Sequence, residues 1–157
     1  MKLFFTLLSF LLSSCSSATE VVTDEGTFMS YKLRLTSNDG ACILYVNETS
    51  KYPLVPKPPC YFTRRNNTRP QHYSYSDVNV DAVLIVVGTP INNEKRKMLS
   101  PGLPDNLVCG EAIQGILIKK DVVRPSRNVQ GGGVICKDKG LDEKDFWYFA
   151  HDTQSKK

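Results

Sequence analysis

Val78-Asn79-Val80-Asp81-Ala82-Val83-Leu84-Ile85-Val86-Val87 is the stretch that decides the fold. Its first half alternates, with Asn79 and Asp81 between apolar residues. Its second half, Val83 to Val87, is apolar at every position. A run that short is a strand and not a helix when it is rich in β-branched residues and closed by Gly88-Thr89-Pro90. Apolar residues on both faces mean that both faces are covered. The reading is therefore a central, buried strand, with the remaining chain arranged around it.

The segments on either side are β-rich. Met29, Tyr31, Leu33 and Leu35 alternate with Ser30, Lys32, Arg34 and Thr36, the period of a strand with one wet face. Asn38-Asp39-Gly40 is a strong turn signal, and Ala41 to Val46 follows as the second arm of a hairpin. Pro53, Pro56, Pro58 and Pro59 make Lys51 to Pro59 an extended surface crossing that ends at Cys60. Asn92 to Asn106 reads as a loop, with Pro101-Gly102 and Pro104-Asp105. Ala112 to Ile118 is another strand, Lys119-Lys120-Asp121 a turn into Val122-Val123, and Gly131-Gly132-Gly133 a flexible hairpin before a short strand at Val134 to Cys136. One helix is expected, Leu141 to His151: Asp142, Glu143 and Asp145 suit its N-terminal dipole, and Phe146, Phe149 and Ala150 share a face. Trp147 and Tyr148 are expected to cover the sheet. The fold class is mainly β, a small sandwich or partly open barrel with one short C-terminal helix, stabilised by disulfides.

Composition sets the frame. The 157 residues are 41% hydrophobic and 23% charged, which suits one globular domain. The net charge of +4 is too weak to argue for a nucleic-acid partner. Five cysteines are an odd number, and the first, Cys15, stands apart from Cys42, Cys60, Cys109 and Cys136. Four cysteines in an oxidising compartment make two disulfides, in one of three pairings. The pairing in order, Cys42–Cys60 and Cys109–Cys136, closes the most local loops and is the one expected. No Cys-x-x-Cys occurs, and His72 and His151 lie far from the cysteines, so nothing calls for a metal ion or another cofactor.

The first residues concern address. Met1-Lys2 is a short basic start, and Leu3 to Leu12 is an apolar run broken only by Thr6 and Ser9. It is shorter than the roughly 20 residues a spanning helix needs and fits a secretory signal. Leu12-Ser13-Ser14-Cys15 resembles the lipobox of bacterial lipoproteins. The resemblance covers those four residues and the run before them. It implies cleavage before Cys15, a diacylglycerol on the Cys15 thiol, acylation of the new amino group and, with Ser16 next, release to the outer membrane. Ordinary signal cleavage after Ala18 is the competing reading, since Ser16-Ser17-Ala18 is also a small-x-small site. The division expected is a signal peptide at 1–14, a lipidated tether at 15–26, one β-rich domain at 27–152 and a polar tail at 153–157. Asn47-Glu48-Thr49 and Asn66-Asn67-Thr68 match the glycosylation acceptor pattern, which arises often by chance.

Catalytic patterns are missing: there is no Gly-x-Ser-x-Gly elbow and no phosphate loop. His72 reads as part of a polar loop, and His151 as near a frayed terminus, with no recognisable partner for either. The most interaction-like segment is Tyr61 to Tyr75, which sets Arg64, Arg65, Arg69 and His72 between Tyr61, Phe62, Tyr73 and Tyr75, and has no acid before Asp77. Arg and Tyr are enriched at binding hot spots. Tyr61, Arg64, Arg65, Arg69, Tyr73 and Tyr75 are the candidate partner-binding residues, and Lys95-Arg96-Lys97 a second basic run. The whole design is similar to the lipoprotein immunity proteins that guard bacteria against secreted antibacterial effectors. That resemblance rests on address, size, disulfides and the lack of a catalytic motif. It implies an envelope-anchored protein facing the periplasm, whose partner is a cognate toxin neutralised by occlusion. A structural or assembly lipoprotein of the envelope and a small hydrolase are the other two classes.

Overall fold

A computed structural model describes residues 19–66 and 69–152. Cys15, the signal region and the polar tail lie outside the described residues. Among the described residues, nine strands form two antiparallel sheets. The first is a meander of β1 (Val21–Phe28), β2 (Tyr31–Asn38), β3 (Ala41–Val46) and β4 (Ser50–Leu54) in that order. The second has β7 (Val80–Pro90) at its centre. On one side β7 pairs with β8 (Cys109–Lys119), which pairs with β9 (Val122–Cys136). On the other side β5 (Tyr61–Phe62) and β6 (His72–Tyr75) lie end to end along the same edge, opposite Val86–Val87 and Val80–Leu84 respectively. The described residues also form two α-helices, α1 (Asn93–Leu99) and α2 (Glu143–His151).

Alternation along β7 divides its side chains between two cores. Ala82, Leu84 and Val86 meet Leu33, Leu35, Leu44, Phe62, Ile116 and Ile118 between the sheets. Val83, Ile85 and Val87 meet Ile113, Leu117, Phe146, Phe149 and Ala150 beneath α2. The layers are therefore sheet, sheet and helix. All six β7 side chains are at most 2% exposed. Each contributes roughly 1.5–3 kcal/mol by leaving water, the alanine less. The central buried strand expected from the sequence is this one, and the mainly β, disulfide-stapled fold with a short C-terminal helix stands.

Turn chemistry fixes the registers. Asp39 (φ 46) and Gly40 (φ 75) are both left-handed, as a two-residue hairpin between right-twisted strands requires. Lys120 (φ 48) and Asp121 (φ 62) make the same turn between β8 and β9. Gly115 serves contact and not conformation: a Cβ there would lie 2.6 Å from Phe149 Cβ and Cγ. Phe149 packs directly onto the β8 backbone because that side chain is missing.

Both disulfides join the cysteines in order. Cys109 and Cys136 are directly opposite each other on β8 and β9. Cys42 on β3 is bonded to Cys60, just before β5, so this bridge ties one sheet to the other.

Several local expectations are corrected. The tether expected to run to Gly26 ends earlier, because Val21 to Gly26 belongs to β1 and pairs with β2. The strand expected from Met29 starts later: Met29 (φ 52) and Ser30 are the turn between β1 and β2, the strand begins at Tyr31, and Met29 is exposed while Phe28 is buried. Ser50 to Leu54 pairs with β3 despite Pro53, which is tolerated because β4 is an edge strand. The loop assigned to Asn92–Asn106 begins with α1, whose N-cap Asn92 accepts from Lys95 N–H at 2.8 Å. Gly131 to Gly133 does not form a hairpin. It is an irregularity inside the fifteen-residue β9, where four steps from Gly131 to Ile135 face two on β8. Trp147 does not cover the sheet; it is 53% exposed, while Tyr148 is half-buried against the α2 core.

Gly115→Ala is expected to lift Phe149 from β8 and cost roughly 1–3 kcal/mol, as overpacking does. Thermal unfolding followed by Trp147 fluorescence reads both the stability and the seating of α2. An unchanged melting temperature would show that the Phe149 contact is not close.

Candidate partner-binding face

Most of the described residues of the segment Tyr61 to Tyr75 are ordered by pairing, His72 included. Tyr61 and Phe62 are β5, and His72 to Tyr75 are β6. Between them Arg64 pairs with Pro70, Arg65 with Lys139, and Gln71 N–H donates to the Thr63 carbonyl at 2.8 Å.

Arg64 is withdrawn from solvent. Its two terminal nitrogens donate to both carboxylate oxygens of Asp24, each at 2.6 Å, with side-chain exposures of 12% and 11%. Asp24 Oδ2 also accepts the Phe62 N–H at 2.9 Å, and Thr23 Oγ1 donates to the Cys60 carbonyl at 2.7 Å. A register irregularity between Val22 and Asp24 is what sets β1 on this path. The ion pair thus fastens β1 of one sheet to β5 of the other. A bidentate guanidinium–carboxylate pair of low exposure is a structural clamp, and removing one partner strands the other.

The tyrosines divide. Tyr75 is 7% exposed, donates its hydroxyl to the Glu143 carbonyl at 3.2 Å, and is pushed up to about 12 by burial. Tyr73 is half-buried against Phe146, with ring centroids 4.9 Å apart. Both serve the seat of α2. Tyr61 is half-buried, and the Lys137 ammonium lies 4.7 Å from its ring centroid, a cation–π contact. Arg65 is exposed, with its guanidinium reaching the Leu141 carbonyl at 3.4 Å, and Arg69 is exposed.

The backbone brings further cations to Tyr61 and Arg65. Arg64 N–H donates to the Lys137 carbonyl at 2.6 Å, and Lys139 is the bridge partner of Arg65. Tyr61, Arg65, Lys137 and Lys139 therefore form one cationic, aromatic rim. Lys137 and Lys139 follow the last cysteine, more than sixty residues from Arg65, and only sheet pairing brings them there. A second feature adjoins this rim through Tyr61: a cavity also lined by Val87, Gly88, Val108 and Arg96. Arg96 is not solvated, as a basic run in a loop would be. It lies on α1, 7% exposed. Lys95 is ion-paired with Glu111.

His151 has partners the sequence did not reveal. Nε2 lies 2.7 Å from Asp77 Oδ2, and Nδ1 lies 2.8 Å from the Trp147 carbonyl. Trp147 stacks on the ring at 4.1 Å. Both nitrogens face acceptors, an arrangement that the doubly protonated ring satisfies in full and either neutral tautomer only in half. Burial opposes the charge of the doubly protonated ring. The hydrogen bonds that His151 donates to Asp77 and to the Trp147 carbonyl outweigh it and hold His151 above its ordinary pKa. The same hydrogen bond from His151 holds Asp77 below the usual carboxylate range. His72 is on β6, edge-on to Phe28 with centroids 4.5 Å apart.

No family model matches the chain, and no curated protein or solved structure matches it either.

Arg64→Ala is expected to cost roughly 3 kcal/mol, since it leaves the Asp24 carboxylate buried and unpaired. Arg69→Ala should stay within about 0.5 kcal/mol, as exposed substitutions do. Urea unfolding of both variants checks this, and equal costs would contradict the clamp. The His151–Asp77 pair also predicts a pH profile. The raised imidazole contributes fully below its unfolded value, about 6.5, and loses its contribution as pH rises through the raised value. The lowered carboxylate contributes above about 3.9 and loses its contribution as pH falls through the depressed value. Stability should therefore decline from pH 6 to 8, and Asp77→Asn should flatten that decline, read as the urea midpoint at the two pH values.

Proposed function

We propose that the chain is an envelope-anchored binding lipoprotein facing the periplasm, which acts by occluding a protein partner. The observation that carries the address is the cysteine balance. Cys42, Cys60, Cys109 and Cys136 are consumed in two disulfides, which form and persist in oxidising compartments. Cys15 is the one left over, and it stands directly after Leu12-Ser13-Ser14. A diacylated and N-acylated Cys15 would hold the domain at the membrane far more firmly than one acyl chain can. Because β1 begins at Val21, only Ser16 to Glu20 separate that anchor from the folded domain. Extended, those five residues reach at most about 17 Å. The domain then works within one domain diameter of the membrane surface.

Binding, and not catalysis, is the reading favoured by the surface. The Tyr61, Arg65, Lys137 and Lys139 rim has the aromatic and cationic composition of a protein-binding hot spot. His151, the histidine with a carboxylate partner, is committed to two acceptors. The partner that fits is an acidic protein, and an immunity role against a secreted toxin is the form of occlusion this design suits best.

Mass spectrometry of the mature N-terminus is expected to find a lipidated Cys15, and Cys15→Ser should move the protein from the membrane to the soluble fraction. A free N-terminus at Thr19 would refute the anchor. For the face, Arg65→Glu with Lys139→Glu should weaken partner affinity at least tenfold by calorimetry while the melting curve is kept. Unchanged affinity would remove this rim from the interface.

A further inference from the structure

The cavity beside Tyr61 has a volume of about 180 Å3 and a mainly apolar lining, with Arg96 as the charged side chain among its described lining residues. Arg96 is a buried cation without a counter-ion: no carboxylate among the described residues forms an ion pair with it. Two of its nitrogens donate to the Leu107 carbonyl at 2.9 Å and to the Pro104 carbonyl, which fastens the loop after α1. Its Nε is buried with no acceptor. A guanidinium cannot give up its proton, so the charge persists. Carbonyl dipoles offset part of the desolvation cost but bring no negative charge, and an unpaired buried charge is the costly case. Glu111 is taken by Lys95, and the second cavity that Arg96 lines holds both Lys97 and Asp105, of which Asp105 forms no ion pair with Arg96.

We propose that this cavity receives a carboxylate on a short apolar stem, with Arg96 as its counter-ion, and that an acidic side chain of a protein partner supplies it. A space of about 180 Å3 accommodates a group of side-chain size. The apolar wall of Pro59, Val87, Pro90 and Val108 accepts the stem, and the charge-assisted hydrogen bond to the guanidinium selects the head. Tyr61 belongs both to this cavity and to the cationic rim, so the charges that draw an acidic surface inward lead to the group that pairs with it. The protein source of the carboxylate rests on the binding function proposed above; the chemistry of the cavity does not.

The experiment therefore has two arms. In the first, the whole folded domain is titrated with butyrate, glutarate and the matching butyramide, and the Arg96 Nε–H resonance is followed by NMR. The carboxylates are expected to shift it with affinities roughly tenfold or more above the amide, the preference of a charge-assisted over a neutral contact. Arg96→Gln lacks that reporter, so both proteins are also followed at the Val108 and Gly110 amides that line the cavity, and the substitution should abolish their response to the carboxylates. Because that variant also loosens the loop after α1, Val108→Trp is the second: Val108 is 41% exposed at the mouth, and the indole should block the cavity while the Arg96 clamp is kept. No shift, or an equal shift with the amide, overturns the proposal. In the second arm, calorimetry of Val108→Trp with the protein partner should show a loss of at least tenfold. Carboxylates that bind in the first arm beside an unchanged partner affinity in the second overturn the protein source and leave a small-molecule carboxylate site. Failure of the first arm alone leaves the cationic rim, and the partner-binding function, standing.

Discussion

Everything in this molecule depends on a strand that cannot be left half wet. Val83, Ile85 and Val87 point one way from β7, and Ala82, Leu84 and Val86 the other. One cover would leave three large side chains in water. The chain supplies two covers of different kinds: the four-stranded meander on one face and the nine-residue α2 on the other. The helix is small, so its seat must be close, and Gly115 lets Phe149 reach the sheet backbone. The meander is larger and is locked down by chemistry as well as by packing, through Cys42–Cys60 and through Asp24 and Arg64.

That central strand was legible because a continuous apolar run of β-branched residues has one stable home. The hairpin at Asp39-Gly40 and the helix around Phe146, Phe149 and Ala150 were legible for similar local reasons. The sequential disulfides followed from loop length, although they are made for different geometric ends: Cys109–Cys136 links paired strands, and Cys42–Cys60 links the two sheets. The missed elements have a common cause. β1 is polar from Thr23 to Thr27, since an edge strand fixed by Thr23 and Asp24 needs little apolar surface, and that pattern resembles a tether. Helix α1 has a single buried residue, a charged one, so it shows no apolar stripe. Its one local signal was Asn92 three residues before Lys95, a capping distance that the nearby prolines masked.

For the candidate face, composition was a better guide than position. The sequence singled out a stretch rich in Arg and Tyr, but a stretch is not a surface. Sheet pairing turned Tyr75 and Tyr73 inward under α2, committed Arg64 to Asp24, and left Tyr61 and Arg65 beside Lys137 and Lys139. Half of the rim was therefore invisible until Arg65 and Lys139 were known to pair. Arg96 was invisible for the opposite reason. A Lys-Arg-Lys run reads as solvated, and nothing in the sequence distinguishes the one member whose charge is buried.

Both disulfides border the end of the fold where that rim and cavity lie. Cys109 lines the cavity directly, and Gly88, which also lines it, lies against the Cys60 sulfur so closely that a Cβ there would come within 2.6 Å of it. Gly110 passes the Gly88 carbonyl with no room for a side chain. Two glycines and two cross-links thus hold β7, β8 and the start of β5 in one close arrangement around Tyr61. A surface built in this way has already lost its freedom on folding, so a partner that docks on it has less ordering to impose. The opposite arrangement, a mobile basic loop, would give up part of its contact energy in becoming ordered. The two cross-links therefore do more here than add stability: they set the shape of the rim and cavity proposed to meet a partner.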